Sequence, residues 1–149
     1  MTPQLLEARV DKFIFRVMPG YLYSEAGVWA ATDETQQIVR LGLSDYRQQS
    51  SGDVAFFNAP ATGRRVSQGD ELASIETVKV DLEVPSPLTG EIVAANEALE
   101  DTPELINQDP YGRGWLVELQ PDQWPPAGLL DAAQYLAVMT AQAEAEAAA

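Results

Sequence analysis

The chain has 149 residues, 46% of them hydrophobic, and its 9 basic and 23 acidic side chains leave a net charge of −14. That length suits one domain with its own core. The charge excludes a nucleic-acid scaffold or a binder of anionic membranes, whose contacts need clustered Lys and Arg.

Composition narrows the chemistry further. The chain contains neither Cys nor His, so disulfides, thiolate nucleophiles, iron–sulfur clusters, Ser–His catalysis and imidazole ligation are excluded. A binding or carrier module is expected, not an enzyme, with no catalytic residue and no metal site. No run reaches the ~20 apolar residues of a spanning helix. Residues 1–17 interleave Glu7, Arg9, Asp11, Lys12 and Arg16 with apolar positions. No signal-peptide core is legible there, which predicts a cytoplasmic protein.

Residues 1–20 read as an N-terminal arm, with Phe13-Ile14-Phe15-Arg16-Val17 as a strand or extended piece ended by Pro19-Gly20. The main domain is expected over 21–125. Residues 38–43 alternate as a strand, and 44–49 suit a short helix with Ser44 as N-cap. Gly52-Asp53 opens a strand over 54–57, and Pro60 and Gly63 mark a turn. Gly69-Asp70 precedes an apolar-rich run over 71–84, and a further strand follows over 91–95. Thr102-Pro103 predicts a helix start, with the Thr hydroxyl as cap and Pro at the first helical position. Residues 115–119 read as a closing strand. Residues 126–149 hold a last helix, in which Asp131 and Gln134 have capping-box spacing and Ala132, Tyr135, Leu136 and Met139 share a face. Its end, 141–149, is Ala, Glu and Gln; with nothing large to bury, it is expected to fray. Many short strands with frequent turns predict a mainly β sandwich or barrel.

Only two lysines occur, Lys12 and Lys79, and the second sits at a change of phase. Ala73 and Ile75 share one strand face, whereas beyond Lys79 the shared face carries Val80, Leu82 and Val84. An unbroken strand would expose half of these residues. A two-residue loop at Val78-Lys79 resolves the conflict by pairing Thr77 with Val80, Ile75 with Leu82 and Ala73 with Val84. Leu72 falls out of phase, as at a bulge or a sheet edge. Lys79 then stands at a hairpin tip with its amine in water. Neither loop residue is the Gly, Asn or Asp of a primed turn, so tertiary contacts must hold it. The pattern alone is equally that of an ordinary solvated lysine.

Ser74-Ile75-Glu76-Thr77-Val78-Lys79-Val80 resembles the lipoyl-lysine motif of glycine cleavage system H-proteins, Glu-Ser-Val-Lys-Ala. The likeness continues through Leu43-Ser44-Asp45-Tyr46, Gly52-Asp53-Val54, Pro87-Leu88-Thr89-Gly90-Glu91, Pro103-Glu104-Leu105-Ile106-Asn107, Pro110-Tyr111-Gly112 and Gly114-Trp115-Leu116, over about residues 21–140. It implies a barrel-sandwich hybrid: two small antiparallel sheets, short helices and a C-terminal helix, with 21–125 as the lipoyl-carrier domain. It implies lipoate amide-linked to Lys79 by a lipoate ligase or a lipoyl/octanoyl transferase. It implies recognition of that enzyme by Glu76 and Gly63, which otherwise read as a solvated strand residue and a turn glycine. The implied partners are glycine decarboxylase, aminomethyltransferase and dihydrolipoyl dehydrogenase, served by a monomer. Glu71, Glu76, Asp81 and Glu83 around the hairpin could steer a basic partner.

The chain departs from the family at Gly27-Val28-Trp29, where members usually carry His-Glu-Trp. That glutamate helps hold the aminomethyl-loaded arm in a protective cleft, and Val28 cannot do so. Tyr46 stands where some members have a cleft histidine. Two alternatives follow: an H-protein-like lipoate carrier working with a heterodisulfide-reductase-like complex in sulfur oxidation, or a non-lipoylated interaction module. Biotin suits the site less well, because Val78 and Val80 flank the lysine where biotinyl sites usually have Met.

Overall fold

The computed structural model describes residues 4–35 and 37–149. In chain order its strands are β1 (Leu6–Val10), β2 (Phe13–Val17), β3 (Leu22–Tyr23), β4 (Val28–Thr32), β5 (Val39–Leu43), β6 (Val54–Asn58), β7 (Arg65–Val66), β8 (Glu71–Thr77), β9 (Asp81–Pro85), β10 (Gly90–Ala95) and β11 (Val117–Pro121). The helices are α1 (Asp45–Ser51), α2 (Ala98–Asp101), α3 (Leu105–Gln108) and α4 (Ala132–Ala148).

Alternating side chains build a core between two antiparallel sheets. One has the order β3-β4-β5-β11-β10-β7, the other β6-β8-β9. Val39, Leu41, Ile92 and Leu119 from the first sheet and Leu72, Ile75 and Val84 from the second are buried in one cluster. This is the expected mainly β, barrel-sandwich architecture. The predicted hairpin register holds as well. Ile75 faces Leu82, Ala73 faces Val84, and the register slips between Glu71 and Ala73, which makes Leu72 the bulge residue. Burying Leu72 explains the slip: its side chain is fully inside, on the same side as Ala73 and Ile75.

A second core lies beneath α4. Tyr135, Met139 and Ala143 pack with Phe15, Val17, Tyr23, Trp29, Tyr46 and Tyr111. Asp131 and Gln134 form the predicted capping box. Contrary to the expectation of a frayed end, the helix runs on to Ala148. Ala143 is buried, and the Tyr46 hydroxyl donates to the Glu146 carboxylate at 2.6 Å.

The N-terminal segment is a hairpin, not a lone extended piece, although residues 1–3 of the expected arm lie outside the described residues. β1 and β2 pair in register around a tight turn, in which Asp11 takes a positive φ of 56°. Three bonds tie the hairpin to the domain, the first from Gln49 Nε2 of α1 to the Ile14 carbonyl at 3.0 Å. Arg16 N–H donates to the Asp45 carboxylate at 2.9 Å, and the Tyr111 hydroxyl donates to the Arg16 carbonyl at 2.6 Å. The Tyr111 bond spans 95 residues of sequence, beyond the reach of any local pattern.

Helix starts divide. Ser44 caps α1, its hydroxyl accepting from Arg47 N–H at 3.2 Å. Thr102 caps nothing. It closes α2, with its N–H on the Ala98 carbonyl, and its ψ of 62° is far from the extended geometry a cap needs. α3 starts after Glu104, without a side-chain cap.

Candidate functional site

Lys79 occupies the turn between β8 and β9, and its residue is exposed. Thr77 N–H donates to the Val80 carbonyl at 2.8 Å, closing the two-residue loop. What stabilises a Val-Lys turn is the Thr77 side chain. Its Oγ1 accepts from Val80 N–H at 2.9 Å and from Lys79 N–H at 3.2 Å. The same hydroxyl lies 2.7 Å from the Ser51 carbonyl and 2.8 Å from that of Val80, its two acceptors. Val78 N–H reaches the Asp53 carbonyl at 3.0 Å. These bonds are the tertiary support that the sequence required without identifying.

The end of α1 forms the seat of the lysine. Gly52 has a φ of 93°, and a Cβ built there would meet the Lys79 Cβ at 3.4 Å. Lys79 Nζ donates to the Ser50 carbonyl at 3.2 Å. That carbonyl belongs to the last turn of α1, where backbone oxygens lack helical partners. Asn107 of α3 fixes this junction from behind. Its Oδ1 accepts from Val54 N–H at 2.9 Å, and its Nδ2 donates to Gln48 Oε1 at 3.0 Å and to the Gly52 carbonyl at 3.1 Å.

Residues singled out in the sequence are dispersed. Glu76 lies on β8 opposite Asp81, exposed, and accepts from Asn58 Nδ2 at 3.2 Å. Glu71, Glu76, Asp81 and Glu83 are all exposed and make the hairpin acidic. Gly63 is elsewhere. It has a φ of 92° in the turn before β7, with open space around its Cα. Its N–H bonds the Ile92 carbonyl of β10 at 2.7 Å, so it belongs to the six-stranded sheet rather than to the lysine hairpin. Val28 is fully buried. Thr77, Ser50 and Asn107 were not identified from the sequence. Two of these positions carried a signal, Thr77 within Ser74-Ile75-Glu76-Thr77-Val78-Lys79-Val80 and Asn107 at the end of Pro103-Glu104-Leu105-Ile106-Asn107.

A cavity of about 270 Å³ opens beside the lysine, lined by β2, the turn before it, α1, α4 and Lys79 itself. Exposed apolar side chains border the tip: Val78 is 78% and Val80 43% exposed. Among the described residues no helix is long and apolar enough to cross a membrane.

An exposed lysine on a clamped β-turn within this fold is the arrangement the local sequence resemblance implied. The family model of the glycine cleavage H-protein matches residues 21–142. The chain belongs to the glycine cleavage H-protein family. The glycine cleavage system H protein of Thermus thermophilus is 42% identical over 122 residues, covering 81% of this chain and 94% of that protein. That of Myxococcus xanthus is 40% identical over 124 residues, covering 82% and 95%. The crystal structure of a glycine cleavage system H protein from Mycobacterium marinum superposes with a TM-score of 0.72 at 31% identity, covering 80% of this chain and 97% of that one. In this H-protein fold, β1, β2 and the last turns of α4 lie outside the matched residues.

Proposed function

We propose that the chain is a lipoyl carrier of the glycine cleavage system, with lipoate amide-linked to Lys79, and that it is not itself a catalyst. The observation that carries this reading is the lysine at the tip of the β8–β9 turn, in a chain of this family. The residues present fit the group. The Lys79 amine is on the surface, and its hydrogen bond goes to a neutral carbonyl, Ser50, so acylation breaks no ion pair. Amidation removes the ammonium charge but leaves one N–H, enough to keep that bond.

The chain's own residues hold and present. Thr77 and the end of α1 immobilise the tip, so the entropy of fixing the attachment point is lost on folding and not at each encounter. Val78 and Val80 offer apolar contact to a docking enzyme, and the acidic flank attracts a basic one. Glu76 and Gly63 belong to the surface read by the lipoate ligase or lipoyl/octanoyl transferase. When bound, the lipoyl group supplies a dithiol–disulfide pair that takes up aminomethyl groups and electrons, chemistry that a chain without Cys or His lacks. Tethering raises the effective concentration of that pair at each partner. The partners are the decarboxylating, aminomethyl-transferring and dihydrolipoyl-oxidising enzymes. The glycine cleavage names of the matched relatives favour this pathway over sulfur oxidation.

Intact-mass analysis after co-expression with a lipoate ligase tests the reading. The wild type gains one lipoyl group and Lys79→Arg gains none, with its stability changed by no more than about 0.5 kcal/mol because the tip is exposed. An unmodified wild type, or a lipoylated Lys79→Arg, refutes the assignment.

A further inference from the structure

We propose that the outer edge of β1 is a self-pairing edge. A second copy of this chain adds its own β1 there, antiparallel, and turns the two-stranded β1–β2 sheet into a continuous four-stranded one. The edge belongs to the hairpin that lies outside the residues matched by the family model. The resemblance that implied a monomer rests on about residues 21–140 and does not cover this segment. The pairing stands on the hairpin alone and is independent of any group on Lys79.

The two edges of the hairpin differ. Asp11-Lys12 is a two-residue turn, so Val10 and Phe13 exchange backbone bonds across it, as do Ala8 with Phe15 and Leu6 with Val17. The residues in between aim their N–H and C=O groups away from the other strand. On β2 three of these four groups are taken: the Ile14 carbonyl by Gln49, the Arg16 N–H by Asp45 and the Arg16 carbonyl by Tyr111. On β1 the outward groups are those of Glu7 and Arg9, and among the described residues no protein group bonds them. One edge is therefore closed by the domain, which holds the hairpin rigid, and the other is open. The apolar side of that open edge is incompletely covered as well. Leu6, Ala8 and Leu136 pack against the second core but remain half-buried, surface that a neighbouring strand would cover.

The charge pattern of the edge names the occupant. Exposed edge strands are commonly guarded by charges that deter pairing. Here the exposed side of β1 carries one acid and one base, Glu7 and Arg9, on either side of Ala8. A twofold axis through Ala8 sets Glu7 opposite the partner's Arg9 and Arg9 opposite the partner's Glu7. These are the residues whose outward N–H and C=O groups are free, so each opposed pair is both backbone-bonded and oppositely charged. Sliding the strands by two residues either way would set Glu7 against Glu7 or Arg9 against Arg9. The charges thus select a single register. Glu7 already accepts from Arg16 Nε at 3.2 Å, and pairing extends that contact into a ladder of alternating sign across both copies. With only the five residues of β1 in register, the contact is small and the dimer weak, populated at high concentration.

Sedimentation equilibrium of the full chain tests this, in physiological salt to screen the repulsion between two chains of charge −14. The wild type should pass from monomer towards dimer at roughly 100 μM. Glu7→Arg and Arg9→Glu each set like charges opposite one another at both pairs, and each should weaken association at least about tenfold. An equimolar mixture of the two variants sets Arg against Glu again and should dimerise as the wild type does. The double variant E7R/R9E, which only exchanges the two positions, should do the same. Both positions are exposed, so the circular dichroism of each variant should match the wild type, and recovery in the mixture is a result that misfolded variants would not give. A wild type still monomeric at about 1 mM, single variants that dimerise as well as the wild type, or a mixture that fails to recover overturns the pairing. The carrier reading is untouched by any of these results, because it is tested by mass at Lys79.

Discussion

The Thr77 hydroxyl lies 2.7 Å from the Ser51 carbonyl, joining the tip of the lysine hairpin to the end of α1. The same oxygen accepts the N–H groups of Lys79 and Val80. One side chain therefore does the work that a turn-forming Gly or Asn does in other hairpins. Thr77→Val keeps the β-branch and removes the oxygen. It is expected to cost about 1–2 kcal/mol in urea unfolding and to slow lipoylation, whereas Thr77→Ser retains both properties. A Thr77→Val protein as stable and as readily lipoylated as the wild type would show the hydroxyl to be dispensable.

Tyr46 and Glu146 are 100 residues apart and share a 2.6 Å hydrogen bond. Tyr46→Phe should release the end of α4. Losing about 1 kcal/mol of local stability corresponds to roughly fivefold faster amide exchange, confined to the last turns of the helix. Exchange that is unchanged there would mean that the burial of Ala143 alone secures the helix end.

Alkaline pH is expected to unfold the second core. Burial pushes the Tyr135 phenol from its ordinary 10.0 up to about 12, against a lowering by its bond to Ser44. Burial likewise raises Tyr23 and Tyr111. The folded state holds these protons more tightly than the unfolded chain. The Tyr135 contribution is therefore complete below pH 10 and is lost as pH rises through about 12, and Tyr23 and Tyr111 act in the same direction. Thermal melts should show a Tm that is level up to the ordinary tyrosine value and falls beyond it. Phenolate absorbance should appear together with unfolding, not before it.

Recognition by the lipoylating enzyme separates two residues. Glu76 is exposed on the lysine hairpin, so Glu76→Gln should leave stability within about 0.5 kcal/mol and lower the lipoylation rate at limiting enzyme roughly tenfold. Gly63→Ala places a side chain at a φ of 92°, costing about 1 kcal/mol of stability. If Gly63 is also read by the enzyme, lipoylation slows at temperatures where the variant is fully folded. A normal rate under those conditions would leave it as a turn residue alone.

The lysine hairpin, its register and the Leu72 bulge were legible in the order of residues, because side chains alternate along a strand and burial forbids a slip of one position. The Ser44 cap and the Asp131–Gln134 box were legible for a different reason: each spans three residues, within reach of local hydrogen bonding. The Thr102 cap failed because Thr102 was already committed to closing α2, a competition that pattern alone does not rank. The pairing of β1 with β2, the persistence of α4 to Ala148 and the cavity beside Lys79 depended on contacts such as Tyr111–Arg16 and Tyr46–Glu146, which cross 95 and 100 residues. Local periodicity tells which face of a segment is apolar; which distant segment covers that face is decided only when the whole chain packs.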